Sequence, residues 1–308
     1  MTTTPHVAIA IATFRRPAGL RRLLDSLDGL AFEGELRPCI TVVVVDNDKD
    51  TAVTAADRAS THPLIYCIAP EQGLANVRNA CLAAAPTDCE FIAFVDDDEW
   101  VVPGWLDALL TMQARTGADV VQGVVLPRYA APAPEWMRAG HYHEVGPFTD
   151  GAPLDHGASG NVLIRRAAIG DVRFHPAFNR SGGEDVDFFH HLLVAGATMV
   201  AATRAIAYED VPPDRSCLGW ILRRRYRTGH TLGAIARRRG RRGPRALKAV
   251  GRLGFGVAES LAGAVSSRTR AVRGLANIVW GLGTLAALLG RDGQRFVNRP
   301  IPSSQAHW

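Results

Sequence analysis

Three things are scarce in this 308-residue chain, and each scarcity closes off a class of protein. Cysteine is the first. Cys39, Cys67, Cys81, Cys89 and Cys217 are odd in number and include no C-x-x-C pair. That spacing supports neither a disulfide framework nor a zinc site, and it suits a reducing cytosol. The second is a leader: Met1 to His6 is polar and runs straight into a strand-like segment, so secretion is not expected. The third is acid late in the chain. Between residues 221 and 273, Glu259 stands alone against fifteen Lys or Arg. Out of a total of +5, that segment carries +14 and leaves the rest of the chain about −9. An acidic body joined to a basic segment meets phosphates, whether on nucleotide, nucleic acid or anionic lipid. With 47% hydrophobic and 21% charged residues the chain is neither disordered nor uniformly apolar, and it is long enough for one large domain and an appendage.

What is present alternates. Val7 to Ala12 is a short apolar run suited to a buried parallel strand, and Pro17 then opens a helix with Leu20, Leu23, Leu24 and Leu27 at helical spacing. Ile40 to Val45, Leu64 to Ile68 and Phe91 to Val95 read as further strands. Leu74 to Ala85 and Trp105 to Ala114 read as helices, and Asp119 to Leu126 as a strand. Such repetition implies a mostly parallel sheet covered on both faces, with ligands bound beyond the carboxyl ends of its strands. Two strands end in carboxylates, Asp46-Asn47-Asp48 and Asp96-Asp97-Asp98-Glu99, which places both clusters on one edge. Residues 127–157 form an ordered, aperiodic excursion. Ser159 to Arg165 resumes a strand, Val186 to Ala195 is a helix and Met199 to Ala202 a short strand. A boundary near 215 separates a catalytic domain, 1–215, from a basic helical region, 216–308.

Four consecutive acids after a buried strand repel one another unless a cation sits among them, and a hard divalent ion such as Mg²⁺ or Mn²⁺ fits oxygen ligands. A solvated acidic turn capping the next helix is the other reading. Asp46 can hold a base or ribose, or simply form a turn. Gly182-Gly183-Glu184-Asp185 opens a helix, where a carboxylate can act as general base or merely offset the helix dipole. Arg223-Arg224-Arg225-Tyr226-Arg227 can clamp a diphosphate or form a solvated face. Trp136 can stack on a sugar or anchor packing. His141, His143 and His156 match no metal spacing. The uncharged stretch from Gly274 to Gly290 is short for a membrane span, and reads as an interfacial helix on the cytoplasmic side or as a packing helix.

Several of these segments together resemble a known family. Ala12-Thr13-Phe14-Arg15-Arg16-Pro17, Val45-Asp46-Asn47, Gly73 to Asn79, Phe94 to Glu99, Gly182 to Asp185 and Trp220 to Thr231 are similar, in order and approximate spacing, to family 2 glycosyltransferases of the GT-A fold. The set resembles the succinoglycan-type, ExoM-like glucosyltransferases of exopolysaccharide assembly. The resemblance implies an inverting hexosyltransferase that uses Mg²⁺ or Mn²⁺. It would move glucose from a UDP-sugar donor to a lipid-linked oligosaccharide or other glycan acceptor at the cytoplasmic membrane surface, with no nucleic-acid partner. Thr13 and Arg15 would line the nucleotide pocket, Asp46 would hold the base, and Arg78 would contact the base or diphosphate. Asp96 and Asp97 would bind the donor, with Asp98 as metal ligand. Asp185 would be the general base with Glu184 beside it, and Arg224, Arg225 and Arg227 would sit where relatives carry a Q-x-x-R-W motif absent here. The alternatives are the same chemistry on dTDP-rhamnose, UDP-galactose or GDP-mannose, and, in another class, a metal-dependent phosphohydrolase built on Asp96 and Asp98.

Overall fold

The computed structural model describes residues 4–34, 37–50, 53–54, 56–130, 132–179 and 182–291; the end of the expected C-terminal region, 292–308, lies outside the described residues. Two compact units emerge, Met1–Arg128 with His143–Asp210, and Tyr129–Tyr142 with Val211–Trp308.

The first unit is built on β1 (His6–Thr13), β2 (Cys39–Asp46), β3 (Leu64–Ile68), β4 (Phe91–Phe94), β5 (Glu99–Val101), β6 (Val120–Tyr129), β7 (Val162–Arg165) and β8 (Met199–Val211). Their order across the sheet is β3-β2-β1-β4-β7-β6-β8-β5. The half from β3 to β4 is parallel, with Thr13 level with Asp46 and Ala10 level with Phe94. Beyond β4 the β4–β7, β7–β6 and β8–β5 pairs are antiparallel, so the sheet is mixed. That change of direction was not visible in the strand–helix alternation, because β5 is three residues long and β7 four. Likewise, the short strand expected from Met199 extends to Val211.

Both faces of the sheet are covered, and the strand period of two sorts the residues. Val7, Ile9, Ile11, Val42 and Val44 pack on one side with Leu20, Leu23, Leu24 and Leu27 of α1 (Pro17–Asp28). Ala8, Ala10, Val43 and Val45 pack on the other side with Ala75, Val77 and Cys81 of α2 (Leu74–Ala84). Trp105, Leu106 and Leu109 belong to α3 (Trp105–Thr116), on the α1 side, and this helix ends on Gly117 in the left-handed region. α4 (Glu135–Arg138) and α5 (Arg166–Ile169) are single turns; α6 (Glu184–Val194) lays Phe188, Phe189 and Leu192 into the α2 side.

The second unit contains α4 and three long helices, α7 (Leu218–Arg238), α8 (Arg242–Ser266) and α9 (Arg268–Leu288). α9 packs along both α7 and α8, which barely meet each other. Glycines permit this: a Cβ on Gly229 would strike the Trp280 carbonyl, and one on Gly283 the Tyr226 carbonyl. Trp136 is buried beside Met137, Tyr142, Ile221 and Val272, so it is a packing anchor of this unit. The Gly274–Gly290 stretch is a packed helix, and α9 is the one helix among the described residues long and apolar enough to cross a membrane.

Candidate active site

The parallel half of the sheet delivers the ends of β1, β2 and β4 to one edge. Thr13 is buried there, and its hydroxyl donates to Asp97 Oδ2 at 2.8 Å. The chain then turns through Arg15, a non-glycine residue with φ of 54°, which sends consecutive arginines in different directions. Arg15 lies half-exposed and donates from Nε to Asp48 at 2.6 Å. Arg16 reaches inward and donates from one guanidinium nitrogen to Asp97 Oδ1 at 3.0 Å and Asp98 Oδ2 at 2.7 Å. Arg16 was not singled out from the sequence; the Arg15-Arg16 pair carries no signal telling which one turns toward the acids.

Asp46 is fully buried, and its carboxylate accepts from the amides of Asp48 (2.9 Å) and Val53 (3.1 Å) and from the Tyr66 hydroxyl (3.0 Å). Those bonds make it the organiser of the loop after β2. Burial, followed by the bond to Asp46, pushes the Tyr66 phenol up to about 12.

The turn from Asp96 to Glu99 closes on itself. The Glu99 amide donates to the Asp96 carbonyl at 3.0 Å, and the Asp96 amide donates to Glu99 Oε2 at 3.2 Å. Glu99 is buried, and burial together with the charges of Asp96, Asp98 and Glu209 raises its pKa well above the usual carboxylate range. Burial and Asp98 push Asp97 up to about 6 against the pull of Arg16 and Thr13. The four acids of this turn meet two arginines, Arg16 and Arg78, and Arg78 is shared with Glu184. Gly160 presses on this turn, since a Cβ there would lie 2.7 Å from Glu99 Oε1 and 3.4 Å from Asp96 Oδ2.

Arg78, on the buried face of α2, joins the two acidic motifs. It donates through Nη2 to Asp96 Oδ1 at 3.3 Å and through Nη1 to Glu184 Oε1. Burial opposes its charge, but Glu184, Asp96 and Asp185 outweigh that and raise its pKa. Burial raises the Glu184 pKa in turn, opposed by Arg78. Glu184 is 3% exposed, whereas its neighbour Asp185 is partly open at the first turn of α6. The loop that launches α2 is held from far away: the Gly73 amide donates to Asn47 Oδ1 at 2.9 Å, and the Ala75 amide to Asn179 Oδ1 at 3.0 Å. Gly73 has φ of 139° and a Cβ there would collide with Asn179. No local pattern could have pointed to Asn179, which lies 104 residues from the helix start it caps.

Thr13, Arg15, Asp46, Arg78, Asp96, Asp97, Asp98, Glu184 and Asp185 thus all belong to the first unit. Arg224, Arg225 and Arg227 are on α7 of the second: Arg224 lies over the Trp220 ring at 5.2 Å and Arg225 over Tyr142 at 5.4 Å. Burial lowers the pKa of Arg225.

Among the described residues no three His, Cys, Asp or Glu side chains converge as a metal cage. Magnesium and manganese, however, take one or two carboxylates and complete their shell with water and substrate phosphate. Asp96 retains 39% of its side-chain surface and Asp98 29%, so both offer reachable hard oxygens on an acidic turn. The donor set fits such an ion.

Comparison with known proteins places this architecture. The fold matches S. aureus TarS residues 1–349 in complex with UDP, with a TM-score of 0.51, 16% identity and 92% of each chain covered. The complex of the same protein with UDP-GlcNAc matches with a TM-score of 0.51, 16% identity and coverage of 93% of this chain and 92% of that one. The chain has the GT-A fold of nucleotide-sugar transferases. The model of glycosyl transferase family 2 matches residues 8–173, and that of glycosyl transferase family group 2 matches 91–290. Succinoglycan biosynthesis protein ExoM of Rhizobium meliloti strain 1021 is 35% identical over 238 residues, covering 75% of both chains. The pre-mycofactocin glycosyltransferase of Mycobacterium tuberculosis strain H37Rv is 29% identical over 72% of this chain and 46% of its own. The chain belongs to glycosyl transferase family 2 and is a glycosyltransferase.

Proposed function

We propose that the chain is an inverting, divalent-metal-dependent hexosyltransferase of polysaccharide biosynthesis. It moves a sugar, glucose from UDP-glucose in the first instance, to a lipid-linked oligosaccharide or other glycan acceptor at the cytoplasmic face of the membrane. The likeness to a succinoglycan biosynthesis protein supports the pathway class, and the UDP complexes of TarS support a uridine donor for this fold. The observation that carries the mechanism is Arg78, which bonds Asp96 of the strand-end turn and Glu184 of the Gly-Gly-Glu-Asp helix start at once. One side chain thereby ties Asp96 of the donor turn to Glu184, the residue next to the acceptor base.

Asp185 takes the proton of the acceptor hydroxyl as general base, and the hydroxyl oxygen attacks the anomeric carbon. The bond from that carbon to the diphosphate breaks, the nucleoside diphosphate leaves and the anomeric centre inverts. Glu184 is a positioning residue, holding Arg78 rather than touching substrate. Thr13 and Arg16 hold Asp97 and Asp98 at the pocket wall, Asp46 shapes the loop that receives the base, and Arg15 lines the nucleotide side with Asp48. Arg224, Arg225 and Arg227 supply further positive charge for the diphosphate. Asp98 with Asp96 would hold Mg²⁺ or Mn²⁺, which supplies charge neutralisation to the leaving diphosphate.

The test is nucleoside diphosphate release from a panel of UDP-, GDP- and dTDP-sugars, with Mg²⁺ or Mn²⁺ and a lipid-extract acceptor. Turnover of one donor that needs metal and acceptor, and is lost in Asp98→Ala and Asp185→Asn, is expected. Phosphate release from simple esters without acceptor would overturn it in favour of a phosphohydrolase.

A further inference from the structure

The apolar helix α9, whose stretch from Gly274 onward is uncharged, is not the one the structure leaves uncovered. A Cβ on Gly256 of α8 would lie 2.8 Å from the Gly274 carbonyl oxygen, and one on Gly281 2.7 Å from Leu253 Cγ. Contacts this close show that α9 uses its small, apolar surface against α7 and α8. α8 is different. Ala249, Gly256, Glu259 and Gly263 face inward, while Leu247, Val250, Val257, Leu261 and Val265 recur on the opposite side and are open, Leu261 at 69% and Val265 at 91%. At a rise of 1.5 Å per residue, this face runs for roughly 27 Å.

Its charges are arranged in one sense. Within 247–265 there are three, Lys248, Arg252 and Glu259. Arg252 lies over the Trp280 ring at 4.3 Å and donates to Asn277, and Glu259 is buried against Arg273. Lys248 is left as the exposed charge of that stretch, with Arg241 and Arg242 exposed at the N-terminal end of the helix. From 221 to 291 the one Asp or Glu is the buried Glu259, so the exposed charges of this stretch are all positive.

We infer that α8 is the membrane-contacting element. It lies flat on an anionic lipid surface, with Leu247 to Val265 in the acyl boundary and Arg241, Arg242 and Lys248 on headgroup phosphates. The inference rests on the peripheral-membrane reading proposed above and moves the contact from α9 to α8. The charge pattern favours lipid over a second copy, because a second copy would present the same acid-free surface and repel it.

The test is co-sedimentation of the full chain with vesicles of phosphatidylcholine alone or mixed with phosphatidylglycerol. It compares wild type, Leu261→Asp/Val265→Asp on α8 and Leu282→Asp on α9, each checked for an unchanged circular-dichroism melt. Wild type and Leu282→Asp should bind the anionic vesicles and not the neutral ones, and the α8 variant should lose more than about tenfold in partitioning. Equal binding by the α8 variant, or loss only in Leu282→Asp, overturns the role of α8 while the peripheral reading stands. No binding by wild type overturns both. A wild-type dimer by light scattering that the α8 variant converts to monomer, without vesicle binding, makes the face a self-interface and overturns the inference.

Discussion

Arg78 and Glu184 form a buried ion pair between the second helix and the start of the sixth, and the same guanidinium reaches Asp96 at 3.3 Å. Removing a partner leaves a carboxylate stranded in a dry site. Arg78→Met should therefore cost about 3–5 kcal/mol in denaturant unfolding. Arg78→Met/Glu184→Met should regain most of that stability yet stay inactive in nucleoside diphosphate release. Restored activity in the double variant would refute the positioning role.

Asp185 sits partly open beside the buried Glu184. Asp185→Asn should lower kcat by about 10²–10⁴ while leaving donor affinity within a few-fold, because the loss falls on proton transfer rather than ground-state binding. Calorimetric titration with the donor separates the two.

Asp97 titrates at about 6 in the folded chain, above the ordinary carboxylate value. The native state therefore holds that proton more tightly than the unfolded state. Its contribution to stability is present below about pH 4 and is lost as pH rises through about 6. In metal-free buffer, the stability of wild type relative to Asp97→Asn should fall by roughly 3 kcal/mol from pH 4 to 7. A flat difference across that window would contradict the shift.

The cysteines divide by burial. Cys39 and Cys217 are exposed, whereas Cys81 is buried and its thiol is pushed up to about 12. A chromogenic disulfide reagent should label Cys39 and Cys217 quickly, and Cys81 only after unfolding. Cys39→Ser/Cys217→Ser should abolish the fast phase.

Glycines of the helical unit separate by what lies opposite. Gly229→Ala should destabilise that unit by about 1–3 kcal/mol, since the added methyl meets the Trp280 carbonyl. Gly251→Ala, with nothing within 4 Å, should be stabilising by about 0.5–1 kcal/mol. Limited proteolysis across the helices reads both.

Much of this protein is determined by the sequence alone. Continuous apolar runs such as Val42 to Val45, short and β-branched, read as strands covered on both faces, and Leu20, Leu23, Leu24 and Leu27 read as the core-facing stripe of a helix. Strand ends marked by Asp46 and by Asp96 to Glu99 fall at one edge, because parallel strands all end there. Tertiary structure alone decided the rest. The antiparallel half of the sheet rests on three- and four-residue strands, too short for any period to register. That Arg16 reaches Asp97 and Asp98 while Arg15 turns to Asp48 follows from the backbone turn at Arg15. That Glu184 is buried against Arg78 while Asp185 stays open depends on elements more than 100 residues apart. Both α8 and α9 carry a row of apolar residues in sequence; which row is covered depends on which glycines allow backbones to touch, a property of paired surfaces that no single helix carries.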